Sequence, residues 1–127
     1  MKRAILAIRN QLVLEAVADA LGRAGVLAEK CISQDVEQIL TPTDALAATY
    51  LVMDVTRSGD GTFDGRMNTV REAKRQNPGI RVALLCDNVS DADSAYRVKR
   101  AKEDGSIDAF FYASIASDYL ADAMDAL

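Results

Sequence analysis

Tyr50-Leu51-Val52-Met53-Asp54 is a run of core-type residues closed by a carboxylate, and the polar loop Arg57-Ser58-Gly59-Asp60-Gly61-Thr62 follows it. The run has the length and near-continuous hydrophobicity of a strand buried on both faces. A carboxylate at the carboxyl end of such a strand lies where open α/β sheets place their chemistry. Asp54 is therefore the leading candidate for a functional residue, and the rest of the chain decides what it can do.

Outward from this run, apolar segments alternate with segments of helical periodicity. Strands are expected over residues 2–8, 26–32, 48–54, 80–86 and 107–112. Helices are expected over 11–23, 34–40, 64–76, 90–103 and 117–127. In the first helix Leu14, Val17 and Leu21 recur at helical spacing, and Gly25 stops it. Ser33 is the expected cap of a short second helix, which Thr41-Pro42-Thr43 should end. Asn77-Pro78-Gly79 is a strong turn signal after the third helix. Ser90 is the expected cap of the fourth, and Asp104-Gly105 its stop. Strict βα alternation implies a mostly parallel sheet with helices on both faces. The more polar second strand suits an edge. Five strands in 127 residues fit an α/β three-layer sandwich of flavodoxin-like type, a single domain over residues 1–127 with strand order 2-1-3-4-5 and five helices.

Composition removes several function classes. The chain contains no histidine, which excludes a histidine zinc site or a Ser-His-Asp triad within it. Its net charge of −4 argues against nonspecific nucleic-acid binding. No run approaches the roughly 20 apolar residues of a membrane span. The N-terminal apolar stretch ends at Arg9-Asn10, too short for a signal peptide. Two separated cysteines, Cys31 and Cys86, suit a reducing cytoplasm, where such thiols act as small hydrophobes. No glycine follows the first strand, so neither a dinucleotide fingerprint nor a P-loop is present.

In element order and length the whole chain resembles the receiver domain of two-component response regulators. The resemblance rests on Asp54, on the Asp64-Gly65 pair opening the next helix, and on Gly105 after the fourth helix. It implies that Asp54 stands at the phospho-acceptor position of a signalling domain that is not an enzyme. It also implies an acidic pair for Mg²⁺ after the first strand, a Ser/Thr ending the fourth and a Lys ending the fifth. Those positions hold Arg9 and Asn10, Cys86, and Tyr112. The loop after Asp54, with Thr56 at its start, is about three residues longer than the family's. Without hard oxygen ligands Mg²⁺ is disfavoured and no other cofactor is implied. The expected pocket is Asp54 with Arg9, Asn10, Thr56, Cys86 and Tyr112, in which Arg9 or another nearby donor pairs with Asp54 in place of the metal.

The implied partners are proteins: a histidine kinase, a downstream output domain or a second copy of the chain. Residues 66–102 carry nine basic and four acidic side chains, whereas residues 103–127 carry six acidic and no basic ones. Arg97 and Arg100 on the fourth helix and Asp118 and Asp122 on the last are the candidate dimer or partner surface. Two alternatives remain beside a metal-free interaction module. One is a working receiver phosphorylated on Asp54, and the other a small-ligand domain of flavodoxin-like fold.

Overall fold

Five parallel strands hydrogen-bond in the order β2-β1-β3-β4-β5, the arrangement expected from the alternation of elements. The computed structural model describes residues 2–31, 33–113 and 117–127. The strands are β1 (Arg3–Ala7), β2 (Leu27–Lys30), β3 (Tyr50–Asp54), β4 (Arg81–Cys86) and β5 (Ala109–Tyr112). Between and after them run α1 (Gln11–Arg23), α2 (Val36–Ala45), α3 (Phe63–Gln76), α4 (Ala92–Glu103) and α5 (Ser117–Asp125). A single 3₁₀ turn, Gly59–Gly61, lies in the loop before α3. Ile32, expected in the second strand, lies outside the described residues.

Alternation along the strands divides the core into two layers. Ile5, Leu51, Met53, Val82 and Leu84 pack under α2, α3 and α4. Leu6, Val52, Ala83, Leu85 and Phe111 pack under α1 and α5. The central strands β1 and β3 are buried along almost their whole length, and β2 at the edge is largely exposed. Among the described residues no helix is long and apolar enough to cross a membrane.

Two helix starts differ from the sequence expectation. Asp35, not Ser33, caps α2 through Gln38 N–H at 3.2 Å. Asp91, not Ser90, caps α4, because Ser90 is drawn back to the Asp87 carboxylate at 2.6 Å. The second helix also continues through Pro42 to Ala45. A proline there removes the N–H that would bond the Gln38 carbonyl. The Cys31 thiol lies 3.6 Å from that carbonyl and 3.6 Å from the Ser33 carbonyl, and its one proton is shared between the two acceptors. Gly25 and Gly105 follow α1 and α4 at φ of 85° and 84°, the left-handed conformation that ends a helix.

Candidate functional site

Asp54 ends β3, and its register partner across the ladder is Leu85 of β4. Its side chain is 15% exposed, and its two carboxylate oxygens face different donors. Oδ2 accepts the backbone N–H of Arg9 at 2.9 Å, from the turn that leaves β1. Oδ1 accepts Nη2 of Arg66 at 3.0 Å. Arg66 is fully buried. Its Nε donates to the Asp54 main-chain carbonyl at 2.7 Å, and Nη2 also reaches the Ala7 carbonyl at 3.1 Å and the Gln34 side chain. One guanidinium thus ties the ends of β1 and β3 to α3 and to the loop before α2. Burial pushes the Arg66 pKa down from its ordinary value, while the adjacent Asp54 carboxylate pulls it back up.

The fixed cation beside Asp54 is therefore the Arg66 side chain. Arg9 contributes its backbone N–H, and its side chain is exposed. Arg66 escaped the sequence reading, yet the pattern contained a signal. It follows Phe63 by three residues and precedes Val70 by four, so it lies on the core-facing stripe of α3. An arginine on such a stripe requires buried acceptors. Gln34, the expected start of the second helix, precedes α2 and supplies one of those acceptors.

The approach of α3 depends on Gly65. A Cβ at that position would run into the main chain of Asp60, so the loop can fold against the start of the helix only around a glycine. Thr62 caps α3 through Gly65 N–H at 3.3 Å, leaving Asp64 free to bond Arg97. The next residue inward is Arg66.

The other expected pocket residues have separate tasks. Asn10 caps α1, its side chain accepting Val13 N–H at 3.2 Å. Thr56 folds the loop, bonding the Ser58 carbonyl at 3.1 Å through its hydroxyl and the Gly61 carbonyl at 2.7 Å through its N–H. Cys86 is buried and its thiol points to the Phe111 carbonyl at 3.8 Å. Burial, with Asp87 and Asp91 adding to it, pushes that thiol up to about 11. Tyr112 pairs in register with Cys86 and stacks edge-on against Phe110, ring centroids 5.8 Å apart. It stands two strands from β3, a separation of about 10 Å across the sheet. The structure brings none of these four side chains into hydrogen bonding with Asp54 among the described residues.

Mg²⁺ requires hard oxygen ligands in near-octahedral geometry. Here one carboxylate has both oxygens engaged, and a buried guanidinium stands beside it. No cluster of three or more His, Cys, Asp or Glu residues suited to a metal occurs among the described residues. The residues present do not fit the ion.

The candidate surface on α4 and α5 is also more internally paired than its charges suggest. Arg97 bonds Asp64 at 2.6 Å and lies 4.5 Å from the Phe63 ring centroid. Asp118 bonds Arg23 of α1 at 2.6 Å. Arg100 and Asp122 are exposed and form no ion pair among the described residues.

No family model and no curated protein matches the chain. Solved structures do match over nearly its full length. A CheY-like response regulator receiver domain from Methanospirillum hungatei is 14% identical with a TM-score of 0.74, covering 99% of this chain and 92% of its own. The response regulator TrrA from Thermotoga maritima, solved with Mg²⁺-BeF, is 17% identical with a TM-score of 0.72, covering 99% and 98%. A pilus assembly-related protein from Burkholderia pseudomallei is 19% identical with a TM-score of 0.69, covering 99% and 88%. The chain has the fold of the CheY-like receiver domains of response regulators.

Proposed function

We propose that this chain is a receiver-fold signalling module that acts by binding protein partners in the cytoplasm, with Arg66 in place of the family's metal and phosphoryl chemistry. The observation that carries this reading is the buried Asp54–Arg66 pair. Phosphoryl transfer to a carboxylate needs a free attacking oxygen and a cation that neutralises the incoming group. Both Asp54 oxygens are engaged, and the cation already present is covalently part of the fold. With no metal to recruit, the site holds one arrangement, and specificity passes to the outer surfaces.

The test is phosphorylation itself. Incubation with Mg²⁺ and acetyl phosphate should leave the intact mass and the amide spectrum unchanged. A stoichiometric adduct of about 80 Da on Asp54 overturns the proposal and restores the phospho-acceptor reading. A second form of partner binding is homodimerisation across α4, β5 and α5. Arg100 and Asp122, exposed and without an ion pair among the described residues, favour it. Light scattering of the wild type beside R97E/R100E tests it, and a wild type that is monomeric at high concentration excludes it.

A further inference from the structure

A groove of about 390 Å³ runs between α3 and α4. Phe63, Met67 and Ala101 give it an apolar base, and Tyr96, Arg71 and Arg100 line it too. Tyr96 is 61% exposed although it is a large aromatic side chain. Tyr96 and Arg100 are four residues apart on α4 and so share one side of that helix.

The groove is lined by three guanidinium groups, Arg71, Arg97 and Arg100, and two carboxylates, Asp64 and Asp104, which leaves one net positive charge. Arg97 and Asp64 neutralise each other. The Ser106 hydroxyl and the Ser106 N–H, the latter at 2.9 Å, hold the Asp104 pKa below the ordinary carboxylate value, and the nearby Arg100 charge adds to that pull. Arg71 bonds only the Asn68 amide among the described residues, and Arg100 has no ion pair there. Of the seven Lys and Arg side chains without an ion pair among the described residues, four belong to α3 and α4: Arg71, Lys99, Arg100 and Lys102. Guanidinium groups match carboxylates in forked geometry, and Tyr and Arg around an apolar centre are the usual composition of an energetic hot spot.

We infer that this groove docks an acidic peptide segment of a partner protein. One apolar side chain of that segment sits against Tyr96 and Phe63, beside the Arg97 guanidinium that lies over the Phe63 ring, and carboxylates next to it meet Arg71 and Arg100. The inference rests on the reading of the chain as an interaction module, for which it names a partner chemistry. It also gives the buried pair a use. Arg66 fixes α3 against the ends of β1 and β3, so one wall of the groove is held rigid before any partner arrives. A preformed wall lowers the ordering penalty of binding.

The experiment is an amide-shift titration of the full chain with three probes. The first is a synthetic peptide of about nine residues with Asp and Glu flanking a central Phe. The second has Lys in place of each acid, and the third is a single-stranded oligonucleotide. The acidic peptide should move the amides of Phe63, Met67, Tyr96 and Arg100, and the basic peptide should not. R71E/R100E should weaken acidic-peptide binding about tenfold or more while the amides of β1, β3 and β4 stay in place. Y96A, which removes no charge, should also weaken it. The inference is overturned by unmoved groove amides, by equal binding to R71E/R100E, or by an oligonucleotide that moves the same amides as strongly. An Asp54 phosphoryl adduct would defeat the proposed function and leave the groove titration standing, so the two failures are distinguishable.

Discussion

At the scale of single residues, the molecule turns on a buried arginine and a carboxylate. Removing one partner of a buried pair leaves the other charge without compensation, which typically costs about 3–5 kcal/mol. D54A strands Arg66, whose Nη1 is already buried without a hydrogen-bond partner among the described residues. Urea denaturation of D54A should therefore show a loss of about 3–5 kcal/mol. A loss below about 1 kcal/mol would mean that Asp54 is not a structural anchor. The thiols make a second residue-scale case. Cys86 is buried with its pKa pushed up to about 11, and burial raises the Cys31 thiol too. Since the thiolate is the reactive form, iodoacetamide at neutral pH should alkylate Cys86 only on unfolding. Rapid native alkylation would make Cys86 an accessible thiol.

Individual elements were readable to the degree that their signals were local. The limits of α1 match expectation because its apolar spacing and its Gly25 stop lie within the segment itself. The end of α2 differs from expectation because the helix runs on through Pro42, and the donor nearest the freed Gln38 carbonyl, the Cys31 thiol, belongs to the chain after β2. The join between α3, β4 and β5 is similarly nonlocal. Asp108 accepts Lys74 Nζ and Val82 N–H, each at 2.8 Å. Burial pushes Asp108 up, but Lys74, the Val82 N–H and Arg81 together hold it below its ordinary value of 3.8. A carboxylate with a lowered folded pKa contributes stability that is present above the unfolded pKa. That contribution is lost as pH falls through the folded value. D108N should be less stable than the wild type at neutral pH, and the difference should shrink below about pH 4. A gap that stays constant down to pH 2 would show that the Asp108 charge is not linked to folding.

For the whole molecule, the issue is which surfaces respond to ligands. Anything that binds only the native state raises its stability by mass action. Millimolar Mg²⁺, with or without acetyl phosphate, should leave the thermal midpoint unchanged, because Arg66 already supplies the charge such a cation would bring. A rise in the midpoint with Mg²⁺ would reveal a site formed by some rearrangement of Arg66. The charge imbalance along the chain also reads differently once it is folded. The acidic α5 is partly neutralised by Arg23 of α1 and by Lys2, just before β1. Of the cations of α3 and α4 without an ion pair among the described residues, Arg71 and Arg100 line the groove between the two helices.

Layer order, the two-sided burial of β3 and β4, and the position of Asp54 at a strand end are legible in the amino-acid sequence. These follow from hydrophobic period and turn chemistry, which act over a few residues. The sequence also shows that Arg9, Asn10, Cys86 and Tyr112 stand where the receiver resemblance implies other residue types. That Arg66, twelve residues beyond Asp54, bonds its carboxylate emerges only from the packed fold. A guanidinium reaches several acceptors at once, and here they come from β1, β3 and the loop before α2. Their convergence is a property of the packed sheet, and no local spacing encodes it.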